Sequence, residues 1–201
     1  NYVKASLTAF PNPPKSIRVL MGNEDIKPGE CLLVDFSFFH RQSTSKATKI
    51  TSRGKYIGVL LGVDYTSCFP YGIPCKNQKK YLHQLHKLIS KVIKSNSLSS
   101  HTAELKYLLM DKHQTQSAEF LADILAEFKL ELLSADIGSR DMDRLNKTSD
   151  TLNTMAHYYL RWGTMDDSWI WSAYRHALQV FPLRPKAVTG ITRGKGFAPY
   201  S

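Results

Sequence analysis

The run YIGVLLGVDY, from Tyr56 to Tyr65, limits the possible folds more than any other stretch of the chain. It is apolar nearly throughout, which predicts a strand buried on both faces and therefore central in its sheet. Turn signals place its neighbours. ECLLVDFSFF, from Glu30 to Phe39, follows a Lys27-Pro28-Gly29 turn and ends at the polar tract HRQSTSKATKITSRGK, which predicts a loop or a hairpin excursion. CFPYGIPC predicts a third strand, pushed toward an edge by Pro70 and Pro74 because proline cannot donate to a ladder. These three read as consecutive antiparallel strands.

The period then changes. Leu82, Leu85, Leu88, Ile89, Val92 and Ile93 recur at helical spacing between Lys79 and Ser95, with Lys80, Lys87, Lys91 and Lys94 on the remaining faces. After the Ser-rich loop SNSLSSHT, ELKYLLM predicts a fourth strand that ends on Asp111. SAEFLADILAEFK predicts a helix capped by Ser117, with Phe120, Leu121, Ile124, Leu125 and Phe128 as its buried stripe. LELLS is a short fifth strand. Ser139 is the expected cap of a long helix that Gly163 ends after Trp162, its stripe being Met142, Leu145, Leu152, Met155, Ala156 and Tyr159. DDSWIWSAYRHALQVF is the last helix, capped near Asp166 or Asp167 and stopped by Pro182. The pattern predicts an α/β fold: a five-stranded mixed sheet flanked by helices.

A length of 201 residues allows one large domain or two small ones. The expected division is an N-terminal arm or linker over 1–29 with little regular structure, a core over 30–182, and a basic, Gly-rich tail over 183–201, extended and mobile. No internal repeat is present. No apolar run approaches the length of a membrane span, and the chain opens with no signal peptide, as a piece of something longer would. Cys31, Cys68 and Cys75 lack metal-ligand spacing and read as reduced thiols. His83 and His86 have no cysteine pair at zinc-finger spacing and read as a helix surface. Trp162, Trp169 and Trp171 are expected in the core. Lys and Arg exceed Asp and Glu by 27 to 17, a formal +10, which favours a polyanionic partner, most simply nucleic acid.

Three acids stand where apolar segments should not carry them. Asp35 lies inside the first predicted strand, Asp111 at the end of the fourth, and Asp143 in the first turns of the long helix. Burying a carboxylate costs free energy unless something compensates it, and a divalent cation does. Hard oxygen donors suit Mg²⁺ or Mn²⁺, and two such ions held by carboxylates support phosphoryl transfer. Taken singly, each Asp also suits a turn or a helix cap. On the long helix Asp143, Lys147 and Asp150 share one face. Arg140, Arg144 and Lys112 would extend a phosphate-binding rim, and Arg184, Lys186, Arg193 and Lys195 would add contacts from the tail.

The ordered series resembles the integrase core of copia-type (Pseudoviridae-like) retrotransposons, a ribonuclease-H-like fold, over about residues 28–185. PGECLLVDFSFF resembles its first strand, YIGVLLGVDYTSCFPYGIPCKNQKKYLHQLHKLI its next two strands and first helix, LKYLLMD the strand bearing its second acid, DMDRLNKT its E-R-x-N-R-T helix motif, and WIWSAYRHALQVFPLRP its closing helix. The resemblance implies a catalytic and metal-binding triad of Asp35, Asp111 and Asp143, a Lys147 that contacts the DNA end, and an Asp64 with no catalytic role. It also implies two Mg²⁺ or Mn²⁺ ions, cDNA ends and target DNA as partners, a homo-oligomer, and a nuclear and cytoplasmic location in a reducing retroelement particle. The chain departs from the motif in two places: Lys112 and His113 replace the family's Asn-Gly after the second acid, and the third acid is Asp rather than Glu. Two functions therefore stand. One is a metal-dependent polynucleotidyl transferase that processes a cDNA 3′ end and joins it to target DNA. The other is a catalytically degenerate or domesticated integrase-like domain that binds nucleic acid or protein.

Overall fold

The structure, a computed structural model, describes residues 15–16, 26–39, 56–77, 83–111, 118–135 and 142–183. Its centre is the apolar run of the sequence. Strand β3 (Gly58–Asp64) is buried at every position, as a strand covered on both faces must be. It pairs antiparallel with β2 (Cys31–Phe38) on one side and with β4 (Pro70–Cys75) on the other. β4 is the sheet's edge, where Pro70 and Pro74 remove no ladder bond that a further strand would need. On its far side β2 pairs parallel with β5 (Tyr107–Asp111), and β5 pairs parallel with β6 (Glu131–Ala135). This is the expected five-stranded mixed sheet.

The opposite edge carries an addition. Lys15–Ser16 forms a two-residue strand, β1, parallel to β6, so the order is β1-β6-β5-β2-β3-β4. The N-terminal stretch expected to lack regular structure thus covers the open edge of β6 at these residues, which have no apolar alternation to announce a strand.

Alternation along β2 divides the core. Cys31 and Leu33 face one side, with Leu145, Leu152, Ala156 and Leu160 of α3 (Asp143–Trp162) and Ile170, Tyr174 and Ala177 of α4 (Ile170–Val180). Leu32 and Val34 face the other, with Leu85, Leu88, Ile89 and Val92 of α1 (Leu85–Ser97) and Leu121, Ile124 and Leu125 of α2 (Ala118–Phe128). Ile93 of α1, expected in the buried stripe, is 37% exposed because it falls beyond the edge of the sheet-facing arc. Helix α3 begins at Asp143 with Met142 at the cap position and no side-chain cap bond, later than the expected start. Ser117 and Ser139, the predicted caps, the side chain of Phe120 and the basic tail lie outside the described residues. Asp166 does cap as expected, accepting from the Ser168 N–H ahead of α4, and a 3-10 turn over Phe181–Leu183 closes that helix at Pro182.

The tryptophans depart from expectation. Only Trp171 packs on the core, against Tyr56 and Tyr174. Trp162 is 79% exposed and Trp169 is 55% exposed, because the sheet does not extend under the last turn of α3 and the turn that follows. All three cysteines are free thiols. Burial pushes the Cys75 thiol up to about 11 and raises that of Cys31 further, so both are neutral packing groups.

Candidate metal and nucleic-acid site

The parallel register of β2 and β5 decides where two of the acids go. Leu33 pairs with Leu109 and Val34 with Met110, the last pair of the ladder, and Asp35 and Asp111 are the residues that follow on the two strands. Adjacent strands lie about 4.8 Å apart, and matched positions in a parallel pair point to the same face. Both residues are half-buried. Alternation from Leu33 puts Asp35 on the face that α3 covers. Asp35 Oδ1 accepts the N–H of Phe36, 2.6 Å away, which ties the carboxylate to its own backbone.

The third acid arrives on the helix. Asp143 is the first residue of α3 and is half-buried. The hydroxyls of Ser37 on β2 and Ser149 on α3 are hydrogen-bonded at 2.7 Å, and Asn153 Nδ2 donates to Ser37 Oγ at 3.4 Å. Ser37 lies two residues past Asp35 on the same strand face, and Ser149 lies six residues past Asp143. This contact therefore links the strand of the first acid to the helix of the third. Among the described residues, however, no group of three or more His, Cys, Asp or Glu side chains is gathered closely enough to hold an ion. Asp35 and Asp111 thus each follow the last paired residue of β2 and β5, and among the described residues they form no metal-holding group with Asp143.

Asp64 has a different task. It is buried at the end of β3, where its carboxylate accepts the N–H of Gly29 at 2.7 Å and of Ser67 at 2.6 Å. It holds the β3–β4 turn and the entry to β2, a structural role consistent with its expected lack of a catalytic one. Gly29 has φ +87°, a conformation that favours glycine, and its carbonyl accepts from Asn96 Nδ2.

The basic residues divide as well. Lys147 is exposed on α3, one turn beyond Asp143. Arg144, expected on a phosphate-binding rim, donates to the carbonyl of Tyr65 and stacks 4.6 Å from the centre of the Tyr65 ring. Its guanidinium fastens the first turn of α3 to the end of β3, a cation–π contact as well as a hydrogen bond. Lys112 and Arg140 lie outside the described residues. His83, just ahead of α1, and His86, on it, are exposed as expected, and His86 Nε2 meets Glu127 of α2 at 2.8 Å.

Sequence reasoning passed over a polar seam on α3. Ser149, Asn153 and His157 recur every four residues and are buried together with Thr148. That spacing was visible in the sequence, but an apolar stripe defined by Leu, Met and Ala steps across it.

No family model matches the chain, and no curated protein matches it in sequence. Solved structures do match its fold. The catalytic core of the HTLV-2 integrase, determined with magnesium in a dimeric form, superposes with a TM-score of 0.54 at 12% identity, covering 86% of this chain and 96% of that one. The catalytic core of the BIV integrase gives 0.54 at 14% identity, covering 86% and 91%. In the simian T-cell lymphotropic virus intasome bound to the PP2A regulatory subunit B56 gamma, the matched chain gives 0.61 at 10% identity, covering 89% of this chain and 57% of that one. The mixed sheet with flanking helices has the ribonuclease-H-like fold of these integrase catalytic cores.

Proposed function

We propose that this chain is the catalytic core of a copia-type retroelement integrase, which processes cDNA 3′ ends and joins them to target DNA. The observation that supports the reading is the parallel pairing of β2 with β5, whose ladder ends at Val34 and Met110, the residues just before Asp35 and Asp111, beside the helix that Asp143 opens. Two half-buried carboxylates on neighbouring strands repel unless a cation lies between them, and an all-oxygen donor set fits Mg²⁺ or Mn²⁺. The HTLV-2 neighbour was determined with magnesium, which supports the same choice of ion here.

Asp35 and Asp111 would hold the metal, and Asp143 would supply the third carboxylate. The chemistry supplied by bound Mg²⁺ or Mn²⁺ is activation of the attacking oxygen and stabilisation of the leaving one. A water, or the DNA 3′ hydroxyl, attacks the phosphorus, and the bond to the departing oxygen breaks, so no covalent enzyme intermediate forms. Lys147, exposed one turn beyond Asp143, neutralises a phosphate of the DNA end. The +10 charge attracts DNA without regard to sequence. The chain works as a homo-oligomer in a retroelement particle, in the reducing cytoplasm and nucleus. Among the described residues no helix is long and apolar enough to cross a membrane.

A second reading has its own support. The described acids do not form a closed ligand set, Lys112 and His113 follow Asp111, and the third acid is Asp. These features favour a domain that keeps the fold and binds nucleic acid or protein without cutting. The deciding experiment is Mn²⁺-dependent strand transfer with a short duplex, run beside a DNA-binding titration at fixed salt. The integrase reading expects transfer by the wild type, its loss in Asp143→Asn, and DNA affinity unchanged by that substitution. DNA binding with no transfer by the wild type would give the field to the second reading.

A further inference from the structure

We propose that Tyr158 and Trp162, in the last turns of α3, form a stacking platform for the bases of single-stranded nucleic acid, with Arg161 and Lys147 holding its phosphates. The inference rests on the nucleic-acid partner proposed above and on no metal site. Among the described residues the large aromatic side chains left exposed are Tyr158, Trp162 and Trp169, all in the last turns of α3 or the turn that follows. The rings of Tyr158 and Trp162 lie one helical turn apart and stack, with centroids 6.5 Å apart and planes inclined by 29°. Their backbone is fixed. The helix closes with the Gly163 N–H donating to the Tyr159 carbonyl and the Met165 N–H to the Leu160 carbonyl, both at 2.9 Å. The platform is thus presented on a rigid element, with Tyr158 61% and Trp162 79% exposed.

The surroundings select the occupant. Lys147, Thr154, Tyr158 and Arg161 follow one another at helical spacing along one stripe of α3, and all four are exposed. The two cations stand about 21 Å apart along the helix axis, so a strand of several nucleotides meets both. Asp150 is the one exposed acid of α3, which leaves the stripe with two cations to one anion. Beside the stripe lies a groove of about 520 Å³, lined in part by Thr154, Tyr158, Tyr159 and Val180. Paired bases keep their faces covered inside a duplex, so only unpaired bases can lie on these rings while the backbone follows the cations. A second copy of the chain fits this face less well, because it brings the same +10 and the same Arg161 toward it.

The test uses the full chain and an oligothymidylate of about 12 nucleotides, within the roughly 4–16 that a single-strand groove takes up. Binding is followed at fixed salt by anisotropy of the labelled oligonucleotide and by quenching of tryptophan fluorescence. The wild type is expected to show quenching, and Trp162→Ala to lose most of it although Trp169 and Trp171 remain. Trp162→Ala and Trp162→Leu are both expected to weaken binding about fivefold or more, because what is lost is base stacking; a purely apolar dock would tolerate leucine. Arg161→Gln should lower the slope of log affinity against log salt by about 0.7, the single-strand value for one phosphate contact. These side chains are exposed, so all three variants should melt with the wild type. Should the Trp162 variants fail to fold, Tyr158→Leu carries the same expectation of weaker binding. Binding without quenching, or wild-type affinity in Trp162→Leu, overturns the proposal. So does self-association in sedimentation that Trp162→Ala abolishes while oligonucleotide affinity stays unchanged, which would give the face to a second copy. Strand transfer on a duplex, run beside these titrations, separates the two readings. Transfer without quenching overturns the stacking platform alone, and quenching without transfer by the wild type overturns the integrase reading alone.

Discussion

Asp64 and Asp111 both end apolar strands, and removing Asp64 should cost stability rather than chemistry. In Asp64→Ala the N–H groups of Gly29 and Ser67 lose a charged acceptor at 2.7 and 2.6 Å, at a site where the aspartate is 4% exposed. Each hydrogen bond to a charged group contributes about 1.5–3 kcal/mol, so the loss is about 3–6 kcal/mol. That is a large part of the roughly 5–15 kcal/mol by which a domain is stable. Melting should fall by roughly 6–24 °C, given about 2–4 °C per kcal/mol at this size. Asp64→Asn keeps an acceptor oxygen but turns an NH₂ toward one of the two N–H groups, and should lose about half as much. The assay is urea unfolding followed by circular dichroism, with an unchanged m-value as the sign that only stability moved. A loss below about 1 kcal/mol in Asp64→Ala would refute the assignment, since two made bonds cannot be worth so little at a buried site.

Gly29→Ala should destabilise by more than about 1 kcal/mol, because φ is +87° and the new methyl would meet the Ala103 carbonyl at 2.8 Å; equal melting of the two proteins would contradict this. Burial of Glu30 alone would raise its pKa, but the bond from Lys106 and the Lys27 N–H hold it below the ordinary glutamate value. The stabilisation is therefore present above about pH 4.3 and is lost as pH falls through the lowered folded value. Lys106→Met should cost about 1 kcal/mol at pH 7, discounted for the exposure of Lys106, and almost nothing near pH 3; a cost independent of pH would rule the pair out as its source. Lys147→Ala should reduce the slope of log affinity for duplex DNA against log salt by about 1, and an unchanged slope would remove Lys147 from the DNA surface.

The sheet was legible because its signals are local. A buried run between turn residues names β3, prolines name the edge, and a change of period names α1. The pairing of β2 with β5 was not legible, because a parallel register is set across 76 positions of chain and leaves no mark in either strand. The start of α3 was misplaced because Ser139 offers a cap, while packing of Leu145 and the Arg144 anchor set the first turn at Asp143. Trp162 and Trp169 were assigned to the core by type, but exposure depends on whether the sheet extends beneath them. The acids could be named from their placement in apolar elements. Their spatial relation could not, and neither could the bond between Ser37 and Ser149, since a serine in a strand and a serine in a helix carry no sign that they meet.

The proposed binding of a divalent cation by Asp35 and Asp111 is tested most directly by melting with and without Mn²⁺. An ion at 100 times its dissociation constant stabilises the folded chain by about 2.7 kcal/mol, or a rise of roughly 5–10 °C at this size. The wild type is predicted to show that rise, and Asp35→Asn and Asp111→Asn are predicted to lose most of it. No rise in the wild type, or an equal rise in both variants, would contradict the claim.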